Sequence, residues 1–252
     1  MDTIKKRLLI ITLFLVGFTG NRAVGQAFLL SSVDGNETSI KLFFNDERDI
    51  ITISCAKDTL TINGVTYIDT IIVLDKRFLL VNYNIRAGSG LHMRRSLIVT
   101  VKNNILCQAL HITSLFSEEF IDFSKPVPSS NPISESSLFN VKFSINRNTA
   151  SNYVLITHIH DEKKSIDSPK TNYERDNELT LNFDAIQNIF YSNYENLSQY
   201  FTIVDPKTQE ETKQYLVGTF PMIQLGSDKY YYLKNEWYEQ NEEGSLTKYS
   251  YR

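Results

Sequence analysis

Alternation with a period of two is the feature that most limits how this 252-residue chain can fold. Phe139, Val141, Phe143 and Ile145 alternate cleanly with polar residues. Leu79, Val81, Tyr83 and Ile85 do the same, leaving Asn82, Asn84 and Arg86 on the other side. Successive side chains of a strand point to opposite faces, so runs of this kind predict half-buried β-strands. They are rich in Ile, Val, Leu, Thr and Tyr and stand only a few residues apart, too close for the helical crossovers that parallel strands require. The expected fold is therefore all-β, or a β-dominated α+β fold: an antiparallel meander or sandwich of hairpins in two packed β-rich parts.

Turn residues suggest where the hairpins close. Asn63-Gly64 in "TINGVT" suits a type I′ turn that sets Ile62 opposite Val65. Asn103-Asn104 implies pairs Val101 with Leu106, Val99 with Gln108 and Leu97 with Leu110, with Cys107 beside Thr100 on the opposite face. Later hairpins are expected at Asp205-Pro206 and Lys234-Asn235. One short helix is predicted near residues 185–198, where Ile186, Ile189, Phe190 and Leu197 recur at helical spacing behind Asp184 as N-cap.

The chain divides by composition. Lys5, Lys6 and Arg7 precede an apolar run from Leu8 to Phe18, and Ala23-Val24-Gly25 offers small residues for cleavage, so residues 1–25 read as a signal peptide. The run is shorter than the roughly 20 residues a spanning helix needs, and no transmembrane span is expected in the mature chain. The reading implies export, to a periplasm, a cell surface or the medium, with Gln26 as the new N-terminus. An N-terminal antiparallel part then covers 26–123. Residues 124–138 hold three of the six prolines and are expected to form a Pro/Ser-rich linker or loop. A C-terminal β-rich part with the helix covers 139–240, and 241–252 read as a polar tail.

Removing the leader takes away four of the 26 basic and one of the 29 acidic residues, which leaves a net charge of −6. A mildly acidic chain without a long basic run is not expected to bind nucleic acid, whose affinity comes from clustered Lys and Arg. Cys55 and Cys107 both lie in the mature part, and an even cysteine count in an exported chain permits a disulfide between them.

Three groups of residues are candidates for chemistry. On a strand, His158 and His160 share a face, and Thr157-His158-x-His160 followed by acidic residues resembles the first metal-binding motif of the metallo-β-lactamase superfamily. That resemblance covers about seven residues and implies a metal at His158 and His160. The chain departs from the pattern at Glu162, where the family has aspartate, and at Lys163, where it has the next histidine. No histidine follows His160, whereas a catalytic zinc generally takes three protein ligands. The second group is "RAGSGLHMRR", in which Arg86, Arg94 and Arg95 around Gly88-Ser89-Gly90 suggest an anion pocket of guanidinium forks and backbone N–H groups. The third is the aromatic cluster of Tyr230, Tyr232 and Trp237, with Tyr231 and Tyr238 on the opposite side of the same hairpin. Such rings either hold a hairpin together by cross-strand pairing or offer a flat platform for a sugar.

No catalytic triad motif and no cofactor fingerprint stands beside these groups, so no cofactor is expected. The sequence therefore favours an exported binding or structural protein, with a glycan or another exported protein as partner. The alternative is an exported hydrolase, built on paired carboxylates or on a His158/His160 metal. Aromatics forming an exposed strip would favour binding, and carboxylates converging in a pocket would favour hydrolysis.

Overall fold

The computed structural model describes residues 24–249, apart from 33–34, 87, 89, 122–133, 148–151, 167, 206–207 and 242. The expected leader thus lies outside the described residues, save for Val24 and Gly25, which open the first strand. Strands β1 (Val24–Ser31), β2 (Glu37–Asn45), β3 (Ile50–Ser54) and β4 (Thr59–Asn63) form a four-stranded antiparallel meander. Its alternation sends Leu30, Ile40, Leu42, Ile51, Ile53, Leu60 and Ile62 into a core and the intervening residues outward.

The chain then enters a second sheet of eight strands, each paired with the next in sequence. These are β5 (Val65–Leu74), β6 (Phe78–Ile85), β7 (Leu91–Lys102), β8 (Ile105–Phe120), β9 (Glu135–Arg147), β10 (Tyr153–Ser165), β11 (Tyr173–Asp184) and β12 (Ile189–Tyr191). The last five strands close a small barrel: β13 (Asn193–Val204), β14 (Glu211–Leu225), β15 (Asp228–Leu233), β16 (Glu236–Gln240) and β17 (Leu246–Lys248). The all-β antiparallel expectation therefore holds. Helical residues among those described amount to two 3-10 turns, Asp46–Arg48 and Pro169–Thr171.

The eight-stranded sheet is the middle layer. Leu79, Val81, Tyr83, Leu97, Val99, Val101 and Leu106 pack against the first sheet. Phe78, Leu80, Ile98, Leu110 and Ile112 pack against Ile223, Leu225, Tyr230, Tyr232 and Trp237 of the barrel. Strands covered on both faces lose the alternating signal, so β6 and β7 read as the near-continuous apolar runs "FLLV" and "LIVTV". A third core fills the barrel with Leu197, Phe201, Leu216, Met222, Tyr231, Leu233, Tyr238 and Leu246.

Four expectations need correction. Gly64 does not close a hairpin with Asn63: it alone of the two has positive φ (74°), β4 pairs with β3, and the Val65 amide donates to Asp49 O at 2.9 Å. The chain turns a corner there between sheets, and Ile62 and Val65 meet in one core from facing layers. The Pro/Ser-rich stretch falls partly outside the described residues, yet Glu135 to Leu138 already belong to β9. That strand pairs with β8 from Phe120↔Glu135 to Leu115↔Asn140, so the sheet crosses the expected boundary.

No helix forms near 185–198. The Asp184 carboxylate does accept the N–H groups of Ile186 (2.7 Å) and Gln187 (3.0 Å), as an N-cap would, but the chain then reverses at Asn188 (φ 60°) into β12. Asp184 thus makes a side-chain-capped turn, the other structure this chemistry supports. Finally, the residues after Asn241 are not a free polar tail. Leu246 and Tyr249 are buried, and β17 pairs with β16 and, in parallel, with β13, which closes the barrel.

Candidate functional site

The aromatic hairpin is core on both faces. Lys234 and Asn235 both have positive φ (51° and 67°), the geometry of a type I′ turn, and set Tyr232 opposite Trp237 and Tyr231 opposite Tyr238 as the sequence implied. Tyr230, Tyr232 and Trp237 face the eight-stranded sheet, while Tyr231 and Tyr238 point into the barrel. Trp237 is 0% exposed and donates its Nε1–H to Gln108 O at 2.9 Å. The cross-strand pairing reading holds, and neither face is left for a sugar.

The three arginines do not assemble a pocket. Arg86 is exposed. Arg94 reaches Asp69 (3.2 Å) and the Asn140 side chain (3.0 Å). Arg95 instead stacks its guanidinium over the Tyr249 ring at 3.8 Å. Neighbours on a strand diverge, which is why Arg94 and Arg95 are separated. Ser89 lies outside the described residues.

Arg95 and Tyr230, drawn from two different candidate groups, converge on a polar seam between the sheet and the barrel. Tyr230 donates to Glu239 at 3.0 Å and Thr113 donates to the same oxygen at 3.2 Å, with the Tyr249 hydroxyl 3.3 Å from Thr113. Beneath them Tyr83 meets His111 Nε2 at 2.6 Å, and the His111 ring lies 4.9 Å from that of Tyr249. Burial, followed by the Arg95 charge, holds the His111 pKa well below its ordinary value, so this imidazole is neutral. Burial also raises the pKa of the Tyr83, Tyr230 and Tyr249 phenols. Side-chain contacts reaching from both layers make the seam a specific joint between barrel and sheet, although among the described residues the buried Arg95 Nε has no hydrogen-bond partner.

His158 and His160 do share the outer face of β10, but the structure sets each of them against a carboxylate of the neighbouring strand. His158 Nδ1 stands 3.4 Å from Glu178, and His160 Nδ1 stands 2.9 Å from Asp176, with Glu162 3.7 Å from His160 Nε2. These partners follow from the β10–β11 register, which sets His158 opposite Glu178 and His160 opposite Asp176. Among the described residues no three His, Cys, Asp or Glu side chains gather as a metal set, which corrects the metal expectation. The disulfide expectation is corrected as well: Cys55 and Cys107 are not joined by a disulfide, and Cys55 Sγ donates to Asn104 O at 2.9 Å.

An exposed aromatic strip does exist, on residues the sequence reading passed over. On the β13–β14 hairpin, Tyr200 stands opposite Tyr215 with ring centroids 4.9 Å apart, and their exposures are 72% and 47%. Val217, opposite Ser198, is 67% exposed, and Ser198 Oγ lies 2.8 Å from the Tyr215 hydroxyl. Beside this strip an open cleft of about 210 Å³ is lined by Tyr215 and Val217 together with Ile203, Leu216, Phe220, Leu233 and Tyr238 and the polar Gln214 and Lys234. Parity was the available signal. Leu197, Phe201 and Ile203 have odd numbers and face the barrel core, while Tyr200 sits among the polar even positions Asn196, Ser198 and Thr202.

Fold and surface together define a three-layered all-β protein with one outward aromatic strip on its barrel. No protein-family model, curated protein or solved structure matches the chain.

Proposed function

We propose that this is an exported binding protein of the periplasm or cell surface, and that it holds a glycan on the outer face of β13–β14. The observation that carries the reading is the exposed Tyr200–Tyr215 pair. Two large rings left in water on a hairpin whose other face already fills the barrel do not serve the core. Flat rings flanked by hydroxyl and amide groups suit a pyranose, whose C–H face stacks while its hydroxyls hydrogen-bond at the rim. Ser198, Asn196 and Thr219 supply such groups on the same face. Export is supported by the basic, apolar and small-residue order of residues 5–25.

The hydrolase alternative draws less support: Asp176 and Glu178 line a wide cleft with His158 and His160, but each of these carboxylates lies against a histidine rather than against the other carboxylate. The binding reading is tested by co-sedimentation and affinity electrophoresis with a panel of plant, fungal and bacterial polysaccharides. Retention by at least one polymer, lost in Tyr200→Ala/Tyr215→Ala with an unchanged melting curve, is expected. Equal behaviour of the two proteins on every polymer would refute it.

A further inference from the structure

We infer that this face binds the interior of an extended, uncharged polysaccharide chain, not a single or terminal sugar; the inference rests on the glycan reading above. The outward row of β13 carries a second aromatic pair toward its other end. Tyr194, 42% exposed, lies against Tyr191 of β12 with ring centroids 4.8 Å apart and an interplanar angle of 57°. The Tyr200 and Tyr215 rings meet at 4.9 Å and the same 57°. Tyr194 and Tyr200 both occupy even positions of β13 and so take the same side of it. Their Cα atoms are about 20 Å apart along the strand, at roughly 3.3 Å per residue. A monosaccharide can touch one of these pairs; only a chain can touch both.

The floor between the two pairs consists of Asn196 and Ser198 on β13, with Thr219 and Val217 opposite them on β14. None of these four side chains is charged. Lys213 and Glu211 come later in the ladder, opposite Thr202 and Val204 and beyond the Tyr200–Tyr215 pair. At the other end the Tyr194 hydroxyl donates to Asp184 at 2.8 Å, which orients the ring. The Asn196 side-chain oxygen accepts the Thr219 hydroxyl, so its N–H groups remain as donors, and Ser198 Oγ lies 2.8 Å from the Tyr215 hydroxyl. Amide and hydroxyl groups between two aromatic platforms match the edge hydroxyls of neutral sugars that follow one another along a straight chain. A chain held by one pair meets the other within the same complex, so affinity should rise with chain length at a threshold set by the span.

The test is calorimetry of the whole protein with cello-, manno-, xylo-, laminari- and chito-oligosaccharides, each series running from disaccharide to octasaccharide. In at least one series affinity should rise about tenfold once the oligomer reaches from Tyr200 to Tyr194, the gain of one further ring contact, and then level off. Tyr194→Ala should remove the rise and hold the long oligomers at the affinity of the short ones. Tyr194→Phe, which keeps the ring and loses only the bond to Asp184, should restore it. A disaccharide bound as tightly as the octasaccharide, or a rise that survives in Tyr194→Ala, would overturn the inference and leave the glycan reading standing. Binding to none of the series also overturns it; the polysaccharide panel above then decides the glycan reading separately.

Discussion

Trp237 offers the sharpest test of how the barrel is joined to the sheet. Its side chain is fully buried, lies 5.3 Å from the Tyr232 ring and donates to Gln108 O across the joint. Trp237→Ala removes that packing, at a cost of about 3–5 kcal/mol for a large aromatic in a core, and the hydrogen bond, worth about 1 kcal/mol more. A total near 5 kcal/mol is a large part of the roughly 5–15 kcal/mol by which domains are stable. At about 2–4 °C per kcal/mol for a chain of this size, the melting temperature should fall by roughly 10–20 °C. Circular dichroism in the β-sheet region is the assay, since the variant loses the protein's single tryptophan and with it the fluorescence signal. Trp237→Phe keeps most of the volume and loses the donor, so it should fall much less, by about 1–2 kcal/mol. A fall below about 3 °C in Trp237→Ala would show that the indole is not packed in the joint, and the core assignment of the whole hairpin would fail with it.

Three further outcomes follow from the same geometry. His111 is held neutral in the fold by burial and by Arg95, with Tyr83, Gln108 and Tyr249 around it, whereas the unfolded chain takes up a proton near its ordinary pKa of about 6.5. The unfolded state therefore binds more protons below that pH. The contribution of His111 is fully present above about pH 7 and is lost as pH falls, with a slope approaching 1.4 kcal/mol per unit at most, roughly, and urea midpoints of His111→Gln should lack that component. Gly90→Ala places a Cβ 2.8 Å from the Glu119 carbonyl at φ 79°, so its thermal midpoint should drop by several degrees, about 1–3 kcal/mol. Titration of the denatured, unreduced protein with a thiol reagent should give two thiols per chain, and reductant should leave the melting curve in place; one disulfide per chain would contradict the placement of Cys55 and Cys107.

What the sequence made legible was local and periodic. The Asn103-Asn104 turn, with both φ values positive, pairs Val101 with Leu106, Val99 with Gln108 and Thr100 with Cys107 as its residues imply. The register then slips by one between Val99 and Ile98, so that Leu97 meets His111 and not Leu110. A bulge of this kind depends on what covers the sheet, which no local pattern encodes. The same limit explains Gly64, where Asn-Gly suits a hairpin but the buried Ile62 and Val65 are best satisfied from two layers. It also explains the missing helix: Ile186, Ile189 and Phe190 recur at helical spacing, yet Phe190 packs against Phe78 and Phe183, and Ile189 joins the same core. Tertiary packing overrode propensity there.

Of the candidate sites, the register of the aromatic hairpin was readable and its burial was half readable. A period-two hairpin with aromatics on both parities implies two covered faces, and the second cover is a barrel that the sequence does not announce. The polar seam was not legible, because Arg95, His111, Glu239 and Tyr249 come from three distant segments. The Tyr200–Tyr215 strip was open to reading by parity alone.

Native-state nitration of tyrosines, mapped by peptide mass spectrometry with and without a polysaccharide that the protein retains, tests the placement of the aromatics most directly. Without the polymer, Tyr200 and Tyr215 should react readily while Tyr230, Tyr231, Tyr232 and Tyr238 remain protected; with the polymer bound, Tyr200 and Tyr215 should become protected as well. Ready nitration of Tyr230 or Tyr232 in the folded protein, or protection of Tyr200 and Tyr215 before any ligand is added, would contradict the account.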